Sequence, residues 1–245
     1  MVLELRNVSM KFNSQDSEIE VLDNINFSLE EGEIIAIVGP SGSGKTTILN
    51  LIAGLLKPTA GEIVASGEIG YMFQRDFLFE WRSIYRNVIL GLEIKKRLTG
   101  ENIEKVLNML KKYGLWEFRN NYPLELSGGM RQRVALIRTL AISPSLLLLD
   151  EPFASLDYQT KLRVSEDVYK IIQSEKKATI IVTHDISEAI AMADRIIVLT
   201  PRPARIKKIH KIDLALDEER TLLSARKSES FRVYFNEIWR ELNES

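Results

Sequence analysis

The first thirty residues alternate between apolar and polar side chains. Apolar residues fall on one face of a period-two pattern, which is typical of half-buried antiparallel strands. The apolar positions of this face include Leu3, Leu5, Ile25, Phe27 and Leu29. The polar stretch from residue 13 to residue 20 predicts a turn or loop between two strands.

A different pattern begins at residue 34. Residues 34–38 form a continuous, largely β-branched apolar run that ends at Gly39, as expected of a strand covered on both faces. Runs of the same type recur at 146–149, 179–182 and 196–199, with helical patterns between them. This order predicts a mainly parallel sheet built from right-handed crossovers.

Residues 75–141 contain no buried strand of this kind and predict a mostly helical insertion. Apolar side chains recur there at helical spacing, as at Val106, Leu107, Leu110, Val134 and Ile137.

After Thr200 the apolar pattern weakens. A basic stretch at 202–211 and an acidic turn at 217–219 precede a final amphipathic helix. The apolar stripe of that helix comprises Phe231, Phe235, Ile238, Trp239 and Leu242. Two interpretations stay open for this segment: a regulatory role, or a solvated basic stretch with a helix at the edge of the domain.

Composition narrows the class of protein. The 245 residues carry 33 Lys and Arg against 34 Asp and Glu, so the formal net charge of -1 argues against a general nucleic-acid binder. The absence of cysteine excludes a disulfide scaffold and a thiolate metal site. The chain shows no signal-peptide pattern and no apolar run near the ~20 residues that span a bilayer. We therefore expect a cytoplasmic protein that reaches a membrane only through a partner.

Candidate phosphate chemistry lies directly after the first buried run. The segment 39–46 fits the pattern G-x-x-x-x-G-K-[ST], in which loop amides and a helix N-terminus surround a phosphate. Lys45 would contact the β and γ phosphates, and the Thr46 hydroxyl would bind Mg²⁺. The alternative is a Gly-Ser loop that merely precedes a helix. The predicted nucleotide contacts are Gly39, Pro40, Ser41, Gly42, Ser43, Gly44, Lys45, Thr46 and Thr47.

Two carboxylates follow the apolar run at 146–149. Asp150 at the tip of a strand beside a phosphate loop would bind Mg²⁺ through water, and Glu151 would orient or deprotonate the attacking water. The alternative is a helix N-cap pair before Pro152. Together with the loop, these residues predict a P-loop nucleoside triphosphatase, a class that includes kinases, GTPases, helicases and transport ATPases.

The segment 126–133, with the sequence LSGGMRQR, resembles the LSGGQ signature of the ATP-binding cassette family. Met130 replaces the usual glutamine. The resemblance implies that Ser127, Gly128 and Gly129 contact the γ-phosphate held by the P-loop of a partner subunit. The alternative is an N-capped helix without a ligand.

Four further residues match elements of the same family in order. The resemblance implies that Gln74 contacts Mg²⁺ and links the nucleotide to the helical insertion, and that Asp157 crosses the dimer interface. It implies that His184 hydrogen-bonds the γ-phosphate and that Phe12 stacks on adenine. Phe12 in the core is the alternative.

The resemblance covers nearly the whole chain and implies an α/β fold. The P-loop NTPase (RecA-like) sheet, mainly parallel, would carry an N-terminal antiparallel β part and an inserted helical signature subdomain. We expect one ATPase domain over 1–245, with a nucleotide-binding core at 1–74 and 142–205. The helical subdomain would occupy 75–141 and a C-terminal extension 206–245.

The implied function is that of an ATP-hydrolysing transporter subunit with ATP and Mg²⁺ as ligands. Two copies would close around ATP, and membrane permease subunits would dock near Phe77, Phe79 and Trp81. The motifs Trp81-Arg82 and Arg202-Pro203 are similar to importers of nitrate, sulfonate, taurine and thiamine precursors, although Glu80 stands where proline is usual. Such importers imply an extracytoplasmic solute-binding protein and a position at the inner face of the cell membrane.

Three other classes share these motifs. A chromosome-maintenance or DNA-repair cassette would need a long coiled coil between Lys45 and Ser127, where no heptads are visible. A translation factor of the family would need two cassettes in one chain. An export or cell-division ATPase is the alternative that the sequence excludes least.

Overall fold

The structure is a computed structural model that describes residues 1–13, 18–216 and 220–243. The centre of the predicted loop at 13–20 and the predicted acidic turn at 217–219 lie outside the described residues.

Two sheets form the framework of the described chain. The antiparallel sheet has the order β2-β1-β4, and the larger sheet has the order β5-β6-β7-β3-β8-β9. The strands are β1 (Leu3–Asn13), β2 (Glu18–Leu29), β3 (Ile34–Val38), β4 (Ala60–Ala65), β5 (Ile69–Met72), β6 (Leu146–Asp150), β7 (Ala178–Val182), β8 (Arg195–Leu199) and β9 (Ile206–Lys211).

The four continuous apolar runs form parallel neighbours in the larger sheet, as predicted. Strand β3 lies between β7 and β8, with Ile35 opposite Ile180 on one side and Ile37 opposite Ile197 on the other. Strand β9 pairs with β8 in the antiparallel direction. Residues 206–211 of the basic stretch thus form an edge strand of the larger sheet, with the lysines at 207, 208 and 211 exposed.

Both faces of the larger sheet are covered, which explains why its strands lack polar alternation. In β3, Ile35 and Ile37 pack in a core shared with the antiparallel sheet and the first helix. Ile34, Ala36 and Val38 pack in a second core against the helices of the opposite face. The sheet therefore separates two apolar cores and fixes the carboxyl ends of its strands.

Helices fill the remainder of the described chain. They are α1 (Lys45–Ile52), α2 (Ile84–Val88), α3 (Leu90–Ile94), α4 (Gly100–Lys112), α5 (Gly128–Ala141), α6 (Tyr158–Glu175), α7 (Ile186–Met192), α8 (Leu222–Lys227) and α9 (Glu229–Asn243). Four of them lie between residues 84 and 141, which confirms the predicted helical insertion. Helix α1 stops at Ile52 because Gly54 takes a φ of 72° and turns the chain away.

The C-terminal helix α9 packs on the second core through Ile238, which is fully buried. Phe231, Phe235 and Leu242 lie against the same core, but Trp239 is 53% exposed. Trp239 lies about 100° around the helix from Ile238, at the solvent-facing border of the predicted apolar stripe. Within the described residues, no helix combines the length and the apolar character needed to cross a membrane.

Candidate active site

The phosphate loop connects β3 to α1 at the carboxyl edge of the larger sheet. Gly44 has a φ of 94°, and a Cβ there would lie 2.8 Å from atoms of Val21 and Leu22. Glycine is therefore required both by the backbone conformation and by the close approach of β2. Gly44 is also the N-cap of α1 and supplies no side-chain cap, which leaves the helix start to a ligand such as phosphate.

Lys45 is the first residue of α1, directly after this loop, and is only 8% exposed. Its Nζ donates to the carbonyl oxygens of Gly39 and Pro40, at 2.9 Å each. Burial lowers the pKa of the Lys45 ammonium, although the charges of Glu151 and Asp150 oppose that shift. A partly desolvated cation held by neutral carbonyls is well suited to a phosphate.

Asp150 ends β6 beside the start of α1 and is 6% exposed. Its Oδ1 accepts from Thr46 Oγ1 at 3.3 Å, and its Oδ2 accepts from the Tyr71 hydroxyl at 3.5 Å. Burial raises the pKa of Asp150, while the hydrogen bond from Thr46 opposes the rise. Tyr71 was not predicted as a site residue; its position on β5, adjacent to β6, brings it to Asp150.

Glu151 turns out of the sheet with a φ of 44°, an unfavourable backbone conformation for a side chain other than glycine. Its Oε2 lies 3.3 Å from Gln74 Nε2 and 3.3 Å from His184 Nδ1. Three segments distant in sequence thus meet at one carboxylate. The next helix starts only at Tyr158, so the helix N-cap alternative for Asp150 and Glu151 is wrong.

A cleft of about 680 Å³ extends from the loop to the antiparallel sheet. Phe12 lies in this cleft and is 39% exposed, so the alternative that placed it in the core is wrong. Arg202 also lines the cleft and donates from Nε and Nη2 to the Gly42 carbonyl, at 3.2 and 3.0 Å. The lining residues are Phe12, Ile19, Val21, Gly39, Ser41, Gly42, Gly44, Lys45, Thr46, Thr47, Glu151, His184 and Arg202.

One buried hydroxyl of the loop has no partner within the described residues. Ser43 is 1% exposed, and its Oγ makes no hydrogen bond. Buried polar atoms are nearly always paired, so an unpaired one inside a phosphate loop favours a ligand there.

The predicted signature lies apart from these residues. Ser127 is exposed and is not among the described residues that line the cleft; its Oγ caps α5 by accepting from Met130 N at 3.4 Å. A Cβ on Gly129 would lie 2.5 Å from Val164 Cγ2, and one on Gly128 would lie 3.1 Å from Leu156 Cδ2. The two glycines therefore bring the start of α5 against α6 and the residues before it.

Asp157 is exposed and caps α6, with its Oδ1 accepting from Thr160 N at 3.1 Å. Hydrogen bonds from the side chain and the backbone of Thr160 lower the pKa of Asp157. The segment before α6 is thus fixed at the surface beside Gly128 through Leu156.

Helix α5 is tied to the segment that follows Gln74. Arg131 Nε donates to Asp76 Oδ2 at 2.8 Å, and Arg138 donates to the carbonyl oxygens of Asp76 and Phe77 at 2.5 and 2.8 Å. These contacts join the signature helix to the segment that follows Gln74, whose side chain lies 3.3 Å from Glu151.

The predicted docking residues form a partly exposed aromatic surface. Phe77 is 59% exposed and Trp81 is 74% exposed, whereas Leu78 is buried at 6%. Phe79 is half-buried, and its ring lies 4.8 Å from that of Trp81. Of this segment, Leu78 packs in the second core, whereas the three aromatic side chains are at least partly exposed.

A phosphate loop, paired carboxylates and a histidine at the carboxyl edge of a largely parallel sheet define a P-loop nucleoside triphosphatase. Comparison with known proteins narrows the class. The sequence pattern described as ABC transporter matches residues 22–154, more than half of the chain. The chain therefore belongs to the ABC transporter family, and it is an ATP-binding, ATP-hydrolysing subunit of the kind found there.

Several relatives match over nearly their whole length. An uncharacterized ABC transporter ATP-binding protein of Bacillus subtilis is 44% identical over 249 residues, which cover 98% of this chain and 95% of that protein. The taurine import ATP-binding protein of Roseobacter denitrificans is 38% identical over 229 residues, which cover 89% of this chain and 85% of that protein.

The fold has a solved counterpart in the dimeric post-hydrolysis state of the ATP-binding cassette MJ0796, bound to ADP and phosphate. The two share a TM-score of 0.73 and 34% identity, over 86% of this chain and 99% of that one. This likeness agrees with the predicted mainly parallel P-loop fold.

Proposed function

We propose that two copies of this chain form two composite ATP sites and energise a binding-protein-dependent importer. The observation that carries the proposal is the separation of the cleft residues from Ser127, which caps the exposed start of a second helix that is suited to an anion. A second copy would bring its Ser127 to the γ-phosphate in the cleft of the first. The nucleotide would then favour the closed pair, because only that pair offers both sets of contacts.

Within the cleft, Glu151 acts as the general base. It takes a proton from water as the water oxygen bonds to the γ-phosphorus and the bond to the ADP oxygen breaks. Lys45 offsets the charge of the β and γ phosphates. His184 hydrogen-bonds the γ-phosphate from its position beside Glu151, and Gln74 connects the same carboxylate to the helical insertion.

The residues beside the phosphate loop also fit Mg²⁺. This ion is usually held by one or two protein carboxylates together with substrate phosphates. Asp150 is a desolvated carboxylate 3.3 Å from the Thr46 hydroxyl, a pair of hard oxygen donors. Thr46, Asp150 and Gln74 would hold the ion, which when bound would neutralise phosphate charge.

The surface formed by Phe77, Phe79 and Trp81 is the proposed docking site for a permease. These aromatic side chains form an exposed apolar patch, and such patches commonly mark sites of protein–protein interaction. Through Phe77 and the contacts of Arg138, movement at this surface would reach the signature helix.

Truncation of one exposed tryptophan tests the docking site. Trp81→Ala should weaken recovery of the permease with the tagged chain by about tenfold or more, since aromatic anchors contribute about 2 kcal/mol or more to an interface. Trp239→Ala is the matched control, because Trp239 is also exposed but lies on α9. Equal recovery with both variants, at unchanged melting temperature, would contradict the docking assignment.

The direction of transport is proposed from the names of relatives, several of which are taurine or aliphatic sulfonate import proteins. In an importer, the chain would be bound to the inner face of the cell membrane through the permease. The membrane proteins that co-purify with the chain should be placed in liposomes and their ATPase activity measured. Stimulation by a co-purifying binding protein loaded with taurine supports import. Stimulation by solute without any binding protein would favour the export alternative.

A further inference from the structure

A partly buried group of charges joins the first turn of α6 to the segment that carries His184. Lys161 follows the N-cap Asp157, and its amide donates to the Asp157 carbonyl at 2.8 Å. Its Nζ lies 2.9 Å from Asp185 Oδ2 and 2.8 Å from Glu188 Oε1. One ammonium therefore bridges two carboxylates that follow His184 in the chain.

The other contacts of these carboxylates fix the backbone on both sides of His184. Glu188 Oε2 accepts from Thr183 Oγ1 at 2.7 Å, and the Asp185 amide donates to the same hydroxyl at 3.0 Å. Asp185 Oδ1 accepts from the amides of Ser187 and Glu188 and so caps α7. The residues before and after His184 thus belong to one hydrogen-bonded group.

The group depends on the charge of Lys161. Glu188 is 3% exposed, and burial raises the pKa of its carboxyl group, which the ion pair with Lys161 and the hydrogen bond from Thr183 oppose. Burial alone would lower the pKa of Lys161, but its hydrogen bonds to Glu188 and Asp185 outweigh burial and raise it. A buried carboxylate that loses its paired cation is costly, so the three side chains form a unit.

We propose that Lys161 is a positioning residue for His184, and that it couples the segment around Asp157 to the histidine beside Glu151. The inference rests on the proposed role of His184 at the γ-phosphate. His184 itself is 60% exposed and touches Glu151 at 3.3 Å, so its imidazole is held mainly through the backbone that Lys161 fixes. A shift of Asp157 on formation of the dimer would reach His184 through the first turn of α6.

Lys161→Met removes the charge and keeps much of the side-chain length. We expect kcat for ATP to fall about tenfold, because small displacements of a catalytic group are that costly, while KM for ATP changes less than about twofold. The chain has two histidines, His184 and His210, so imidazole NMR signals are assignable with a His184→Gln variant. The His184 signals should shift or broaden in Lys161→Met, and those of His210 should not.

Two variants separate positioning from loss of stability. Lys170→Met removes a charge from the same helix at a side chain that is 64% exposed, and it should leave kcat and both histidine signals unchanged. In Lys161→Met the buried carboxylate of Glu188 has lost its paired cation, and adding Glu188→Gln removes that charge. The double variant should therefore recover the wild-type melting temperature but not the wild-type kcat. Lys161→Arg, which can still bridge both carboxylates, should recover most of the activity.

Three results would overturn the inference. The first is a Lys161→Met variant that keeps wild-type kcat and unchanged His184 signals. The second is a combined variant that recovers kcat together with stability. In both cases an inactive His184→Ala variant leaves the proposed function standing. A fully active His184→Ala variant would instead overturn the role of His184 and this inference with it.

Discussion

Two helices of this protein begin at glycine-rich segments, and their N-termini are surrounded very differently. The start of α1 has no side-chain cap but lies beside a buried lysine and the carboxylates Asp150 and Glu151. The start of α5 is exposed and is capped by its own Ser127. Both ends favour an anion through their backbone amides, but only the first has groups that could also activate water.

The comparison separates affinity for phosphate from chemistry on phosphate. A helix N-terminus is sufficient to attract a phosphate. Hydrolysis of a phosphate bond also needs a base, a cation and a metal-binding carboxylate at defined distances. If the proposed pairing is correct, α5 completes in another copy what α1 and its neighbours begin. Variants on each side should therefore fail in different ways.

The largest effect is expected at the α1 side. Glu151→Gln should reduce ATP turnover by about 100-fold or more, since an amide cannot accept the proton, while ATP binding persists. Retained ATP should then hold the pair closed. Size-exclusion chromatography with Mg²⁺ and ATP should show a dimer for this variant. Glu117→Gln, at an exposed carboxylate of the helical insertion, is the control, and wild-type turnover in Glu151→Gln would remove Glu151 from the catalytic role.

A substitution at the start of α5 should reduce ATPase activity without reducing ATP binding. Ser127→Arg should lower ATPase activity by about tenfold or more, because removal of a single transition-state contact has at least that effect, with little change in ATP affinity. Lys45→Ala should lose ATP binding itself.

Mixing these two inactive variants sharpens the test. One site of a mixed dimer would combine an intact phosphate loop with an intact signature, so some activity should return. Absence of activity at every mixing ratio would count against the composite site.

A smaller effect concerns the packing that fixes the α5 start. Gly129→Ala would place a methyl group 2.5 Å from Val164 Cγ2, and such overpacking costs about 1–3 kcal/mol of unfolding free energy. The melting temperature should fall by a few degrees, roughly 2–4 °C for each kcal/mol. Gly100→Ala, where the added methyl group meets no atom within 4 Å, should leave it unchanged or raise it slightly. Equal melting temperatures would mean that α5 can shift on α6 without cost.

The smallest effect is expected at the adenine end of the α1 cleft. Phe12→Tyr should preserve stacking, and Phe12→Leu should raise KM for ATP several-fold, as expected for a loss of about 1 kcal/mol. Titration with ATP and with inorganic triphosphate separates the base from the phosphates. A matching loss of affinity for triphosphate would show that Phe12 acts on something other than adenine.

The parts predictable from sequence are those whose signal is local. The apolar run 34–38 predicts a strand covered on both faces. The eight residues that follow it, 39–46, contain the whole phosphate-binding pattern. The exposure of Phe77 and Trp81 beside buried Leu78 also follows from spacing, since neighbouring side chains cannot all face one core.

The parts that escaped prediction depend on distant pairing. Tyr71 contacts Asp150 only because β5 lies next to β6. Lys161 contacts Asp185 because the start of α6 lies beside the start of α7. Strand β9 carries too few apolar residues to be distinguished from a loop until β8 is beside it. Periodicity places Trp239 on the apolar stripe of α9, but it does not show which border of that stripe contacts the core, and Trp239 is 53% exposed.

Strand β9 also bears on how the protein stays in solution. It closes one edge of the larger sheet, and an unpaired edge is a template for another strand. Its exposed side chains include three lysines, at 207, 208 and 211, and Lys208 lies 3.2 Å from a carboxylate oxygen of Glu241 on α9. Charges of this kind oppose edge-to-edge aggregation. The protein is proposed to dimerise through the surface around Ser127, and the lysines of β9 oppose a different association, the pairing of sheet edges.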